Sequence, residues 1–181
     1  MKTATREASL FPHITAKPCT DPSHSSGEIH LHAASPLGEP SVNLSLRAGE
    51  LAVVIGTTGS GKSRLLGALS NPSRRGSTAS LHGGCAHGSV ALVLQQPFLL
   101  NASVRDNILF GLPLEEVRMQ EALARTELVP DMAALPRGVL TMVGPSGVQL
   151  SGGQKARVCL ARALYADADC YLLDDILSAV D

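Results

Sequence analysis

The sequence predicts an α/β protein with a mixed β core and a helical subdomain. Two short apolar runs, 51–55 and 170–173, each lead directly into residues suited to chemistry, a glycine-rich loop after the first and Asp174-Asp175 after the second. Between them, residues 101–149 read as mostly helical, with breaks at 111–113, Pro130 and Pro136.

Residues 1–27 mix Pro, Ser, Thr and His without helical or alternating periodicity, the pattern of a linker or tail rather than a packed element. From Glu28 the pattern changes, and 28–181 reads as one domain. Ile29, Leu31 and Ala33 alternate with polar residues, as do Val42, Leu44 and Leu46, so two half-buried strands are expected. The run 51–55 is continuously apolar, which predicts a central parallel strand covered on both faces. Residues 62–70 read as a helix closed by Asn71-Pro72. Segments 77–82 and 89–94 flank Gly83-Gly84 and suggest a hairpin. Residues 152–167 form a further expected helix, because Ala156, Cys159, Leu160, Ala163 and Leu164 recur at helical spacing.

Composition narrows the function classes. With 15 basic and 16 acidic residues the chain has no global field for nucleic acid or an anionic membrane. The four cysteines include no CxxC pair, and Cys159 and Cys170 fall in segments that read as buried, which predicts reduced thiols. The apolar run 51–55 is far below the roughly 18 residues of a membrane span, so no direct insertion by this segment is expected. No apolar core follows Lys2 and Arg6, which argues against a signal peptide. His82, Cys85 and His87 are of zinc-ligating type, but they fall in the expected hairpin turn without an evident fourth ligand.

The string GTTGSGKS at 56–63 fits the phosphate-binding pattern GxxxxGK[ST] and lies between an apolar strand and a helix, the context that gives the pattern meaning. Gly56, Gly59 and Gly61 let the backbone curl so that the N–H groups of Thr57, Thr58, Ser60 and their neighbours face one anion, and the following helix adds its positive end. Lys62 supplies a mobile charge for the β- and γ-phosphates, and the Ser63 hydroxyl suits magnesium. These residues imply ATP with Mg2+. Asp174, ending the second apolar run, is the expected Walker B carboxylate that orients the metal. Read alone it would be an ordinary strand-ending acid. The string LSGGQ at 150–154 sets Ser151, Gly152, Gly153 and Gln154 at a helix start, where a hydroxyl and unobstructed N–H groups form a second phosphate site. Without its neighbours, Ser151 would read as a simple N-cap.

LSGGQ between a P-loop and a Walker B strand resembles the signature of ABC ATPases. The segments QQPFLLN at 95–101 and VRDNILFG at 104–111, together with 150–164 and 171–181, resemble the first nucleotide-binding domain of the multidrug-resistance-associated (C) subfamily of ABC transporters. The resemblance implies a P-loop NTPase of ABC type with a helical subdomain at about 101–149. It implies Gln95 as the Q-loop glutamine near metal and attacking water, with Gln96 as the alternative register, and residues 178–181 as the D-loop. The implied partners are a second nucleotide-binding domain paired head to tail and the transmembrane domains of one transporter, at the cytosolic face of a membrane. The implied activity is ATP hydrolysis driving export of organic anions or xenobiotics.

Several positions depart from the family pattern. Asp175 stands where most members carry the glutamate that polarises water, which implies slow hydrolysis. The family's switch histidine follows the D-loop, whereas the last histidine here is His87, so the domain is expected to be incomplete at its C-terminus and the isolated chain slow or inactive. No aromatic residue stands near His30-Leu31-His32, where the adenine stack is expected. Arg64 replaces a hydroxyl that reaches the α-phosphate, and Pro145 replaces a glutamate. The rival readings are an ATP-binding remnant or regulatory ABC protein, a chromosome-maintenance ATPase and a small-molecule kinase. The stretch from Lys62 to Ser151 lacks the heptads of the second, and LSGGQ opposes the third.

Overall fold

The computed structural model describes residues 14–16, 28–33, 42–47, 49–70, 80–83, 89–144 and 148–176. The chain divides into two compact units, 1–92 with 169–174, and 93–168 with 175–181.

In the first unit, the two alternating segments form strands. They are β2 (Glu28–Ala33) and β3 (Val42–Arg47), paired antiparallel from Glu28 opposite Arg47 to Ala33 opposite Val42. The strand β5 (Ser80–Gly83) pairs antiparallel with the other edge of β2, giving the order β3, β2, β5. A second sheet runs β4 (Leu51–Ala52), β1 (Ile14–Ala16), β9 (Cys170–Leu173), β6 (Val90–Val93). The helix α1 (Lys62–Ser70) packs against β2 and β9. It buries Leu66 and Leu69, each removed from water at a gain of about 1.5–3 kcal/mol.

Three expectations are corrected here. Residues 51–55 do not form a covered central strand. Only Leu51–Ala52 is strand, at the end of its sheet and antiparallel to β1, and Leu51, Val53 and Ile55 are exposed. The apolar run reported hydrophobicity, but burial on both faces needs neighbours that sequence order does not supply. Nor is the expected hairpin found among the described residues, where β5 and β6 belong to different sheets, while Gly84 lies outside them. Pro130 opens a helix rather than breaking one, since the first turn has no intrahelical use for its missing N–H. The strand β1 lies within the segment read as a tail and pairs antiparallel with both β4 and β9.

The second unit is built around α5 (Gly152–Ala166), the helix expected from the apolar spacing. The helices α2 (Val104–Leu109) and α3 (Glu116–Arg125) pack on it. A shorter helix, α4 (Val129–Ala134), packs on a single 3-10 turn at Gly138–Leu140, and β7 (Ala102–Ser103) pairs with β8 (Met142–Val143). Val104, Ile108, Leu123, Leu128, Val158 and Tyr165 form the centre of its core. The buried positions of α5 include Val158, Ala161 and Tyr165 beyond the expected stripe, because helices cover it on more than one side. Tyr165 keeps its hydroxyl satisfied at depth by donating to the Pro113 carbonyl and accepting from the Glu115 N–H at 2.8 Å. The N-cap Ser103 accepts from the Asp106 N–H at 3.0 Å and opens α2.

Candidate functional site

The loop 56–63 stands at the start of α1 and turns through two left-handed glycines, Gly59 (φ +83°) and Gly61 (φ +93°). A side chain there would be strained even though a Cβ would meet nothing within 4 Å. Gly56, Thr57, Thr58 and Gly59 are exposed, and Ser63 and Arg64 emerge on the first turn of the helix. Lys62 folds its ammonium into the loop, donating to the carbonyls of Gly56 and Thr57 at 2.9 Å each. The Ser60 hydroxyl is buried and has no hydrogen-bond partner among the described residues. A buried donor left unmatched costs about 1–3 kcal/mol, which an anion accepting from it would recover. Left-handed glycines, a mobile cation and an orphaned hydroxyl fit a polyphosphate.

Asp174 follows β9 in the same unit and is buried. The Ser63 hydroxyl and Asp174 carboxylate are hard oxygen donors of the kind magnesium takes, and α1 packs against the strand that carries Asp174. A reciprocal clamp joins the flanks of that strand and β6. Asp169 Oδ2 accepts from the Ser89 N–H at 2.7 Å and from the Ser89 hydroxyl at 2.8 Å, while Ser89 Oγ accepts from the Asp169 N–H at 3.1 Å. Among the described residues there is no cluster of three or more His, Cys, Asp and Glu able to hold a metal alone. Cys85 and His87, named above with zinc in view, lie outside the described residues, as do Pro145 and the D-loop segment 178–181.

The second unit holds the other expected residues. Gln95 is exposed and donates through Nε2 to Asp175 Oδ2 at 2.9 Å. Asp175 has φ +49°, the left-handed region that a short polar side chain tolerates better than most. Gln96 is exposed and has no such bond to Asp175. Ser151 is the N-cap of α5 and forms a complete capping box. Its Oγ accepts from the Gln154 N–H at 3.2 Å, and its own N–H donates to Gln154 Oε1 at 2.9 Å. By helix geometry the N–H groups of Gly152 and Gly153 have no acceptor within the first turn, so they and the Ser151 hydroxyl proton are donors offered outward.

The family model described as ABC transporter matches residues 40–178. The chain belongs to the ABC transporter family. It is 48% identical over 141 residues to the ATP-binding cassette sub-family C member 2 of Rattus norvegicus, covering 77% of this chain and 9% of that protein. It is 48% identical over 141 residues to the human sub-family C member 4, covering 77% of this chain and 10% of the relative. It is 43% identical over 141 residues to the ABC transporter C family member 7 of Dictyostelium discoideum, covering 77% of this chain and 10% of the relative. The chain thus spans about a tenth of the length of the curated relatives it matches. It is an ABC nucleotide-binding domain with relatives in sub-family C. Among the described residues, no helix of this ABC domain is long and apolar enough to cross a membrane.

Sequence reading missed two features of this ABC domain. Asp131 accepts from Gln154 Nε2 at 3.0 Å and from Arg157 Nε and Nη2 at 3.1 and 2.8 Å. Nothing in the local pattern singled it out, because an acid in the first turn of a helix is ordinary dipole chemistry. Asn107 is wholly buried and makes four side-chain hydrogen bonds that tie the residues after Gln95 to α5 through Arg162. Its place at helical spacing from Val104 and beside Ile108, the apolar positions that α2 buries, is a signal that could have found it.

Proposed function

We propose that this chain is the ATP-binding domain of a C-type ABC exporter, that its P-loop and its signature serve two different ATP molecules in a head-to-tail pair of domains, and that its own site retains ATP more than it hydrolyses it. The observation that carries the reading is the pair of anion-binding surfaces in separate units, the loop 56–63 with its orphaned Ser60 hydroxyl and the outward donors at Ser151, Gly152 and Gly153. ATP held between two such surfaces stabilises the paired state over the open one and shifts the equilibrium toward closure.

In this reading Lys62 leaves the carbonyls of Gly56 and Thr57 for the phosphates, a short swing that keeps its charge in the loop. Ser63 and Asp174 would hold magnesium, which screens phosphate charge when bound. Asp175 accepts the proton of the attacking water as the bond to the γ-phosphorus forms and the bridging oxygen leaves with ADP. Gln95 anchors one oxygen of that carboxylate at 2.9 Å. The aspartate is one methylene shorter than glutamate, and a displacement of order 1 Å at a general base costs about 10²-fold in rate. Export of organic anions or xenobiotics is the activity in keeping with sub-family C, and the transmembrane domains are the partner that would move. Leu94, Phe98, Leu100, Phe110 and Leu112 are exposed in the second unit, which also holds Gln95, and supply apolar surface for such docking. The cytosolic face of a membrane is the matching location.

Binding of a fluorescent ATP analogue tests the first step. Lys62→Ala is expected to abolish it, and unchanged binding would contradict the P-loop assignment. Asp175→Glu in the complete transporter is expected to raise single-site turnover severalfold or more, and no gain would remove the retention argument.

A further inference from the structure

We infer that Asp131 is the positioning residue of the ATP signature, acting through the side-chain amide of Gln154. The inference rests on the reading that Ser151, Gly152 and Gly153 contact the ATP of a partner domain.

Gln154 must present its Oε1 to the Ser151 N–H for the capping box to close, and it does so at 2.9 Å. An amide can equally turn its Nε2 that way, which would set a donor against a donor and open the box. Asp131 decides between the two. Its Oδ1 takes Gln154 Nε2 at 3.0 Å, and a carboxylate can only accept from that side. The other oxygen, Oδ2, is held by Arg157 through both Nε and Nη2. The pair is largely sheltered, with side-chain exposures of 16% for Asp131 and 21% for Arg157, so the carboxylate is firmly placed. Its grip spans the helix start, because Gln154 and Arg157 stand one turn apart on α5 while Asp131 comes from α4.

The outward consequence lies at Ser151. With its N–H spent on Gln154 Oε1 and one lone pair spent on the Gln154 N–H, Ser151 keeps its hydroxyl proton for an external acceptor. The Gly152 and Gly153 N–H groups point from the same fixed first turn. If Gln154 turned over, the Ser151 N–H would lose its acceptor and the reciprocal half of the capping box would open, leaving the first turn less firmly fixed. Asp131 touches no phosphate. It keeps the donor set in one arrangement before ATP arrives, the condition under which such donors are most effective.

The test is ATP-dependent association of the 181-residue chain, measured by sedimentation, beside fluorescent ATP-analogue binding at its own P-loop. Wild type is expected to associate with Mg-ATP, and Asp131→Ala to weaken association about tenfold or more while P-loop affinity holds, the separation expected of a site elsewhere in the chain. In a Gln154→Ala background, Asp131→Ala should add nothing, since both remove one device. Nitrogen-15 NMR should show the Gln154 side-chain N–H resonances losing their bonded shift in Asp131→Ala. Should that variant lose helical signal, Asp131→Ala with Arg157→Ala leaves no unpaired charge and carries the same comparison. Wild-type association in Asp131→Ala, or full additivity with Gln154→Ala, overturns the inference and leaves the ATP-sandwich reading standing. No ATP-dependent association in wild type, with P-loop binding intact, overturns both and favours an ATP-binding remnant.

Discussion

Replacing Asn107 with alanine tests how the segment after Gln95 is held. The side chain is fully buried, and each of its groups is matched. Nδ2 donates to the carbonyls of Leu100 at 3.1 Å and Ser103 at 3.0 Å, while Oδ1 accepts from the Leu100 N–H at 2.8 Å and from Arg162 Nη2 at 3.2 Å. Four bonds at a net 0.5–1.5 kcal/mol would sum to roughly 2–6 kcal/mol, but the losses are not equal. Ser103 is the N-cap of α2 and its carbonyl keeps the first intrahelical bond. Arg162 also keeps its bond from Nε to the Asn107 backbone carbonyl at 2.7 Å. The unrecovered part is the Leu100 pair, so a cost of about 2–4 kcal/mol is expected. The assay is native-state hydrogen exchange. The Leu100 N–H should exchange about 30- to 1,000-fold faster in Asn107→Ala, while amides in the middle of α1 change little. Unaltered exchange at Leu100 in a folded variant would show that the loop is held by something other than this side chain.

Glycine replacements give opposite signs at two places. Gly144 has φ +107° and a Cβ there would lie 3.0 Å from Asn101 Cα, so Gly144→Ala is expected to destabilise by about 1–3 kcal/mol and lower the melting temperature by several degrees. Gly67 lies inside α1 with nothing within 4 Å of its Cβ position, and Gly67→Ala should stabilise by about 0.4–1 kcal/mol in the same melt. Burial, with help from the nearby Asp169 charge, pushes the Cys170 thiol up from 9.0 to about 11. The folded state therefore holds this proton longer than the unfolded chain. The stabilisation is complete below about pH 9 and is lost as pH rises through about 11, on the order of 2–3 kcal/mol. Urea titrations at pH 8 and 11 for wild type and Cys170→Ala read that difference, and an equal pH loss in the variant would refute it. Burial also raises the Cys159 thiol, so peptide mapping after iodoacetamide at pH 8 should find both cysteines labelled only after unfolding.

The helices and the loop chemistry were legible in residue order because their physics is short-ranged. A capping box joins positions three apart, helical packing repeats within four, and a P-loop is eight consecutive residues. Ser151, Gln154, Lys62 and the stripe on α5 could therefore be named before any fold was known. The strands β2 and β3 were legible for the same reason, since alternation is local. Which edges meet is a different matter. The apolar run at 51–55 pointed to a covered strand, yet among the described residues β4 pairs only with β1, a segment whose composition reads as tail. Cross-strand hydrogen bonds are made by backbone groups that every residue carries, so composition says little about the partner.

The site divides along the same line. LSGGQ and the P-loop declare themselves as strings. The bond between Gln95 and Asp175 and the Ser89–Asp169 clamp each join residues 80 positions apart, and Asp131 meets Gln154 and Arg157 at separations of 23 and 26. A carboxylate among 16 acidic residues has no local mark that it will face an arginine on another helix. Residue order named groups of the kind that suit phosphate, whereas packing set which way Gln154 turns, since its amide faces a charge that only the fold brings near.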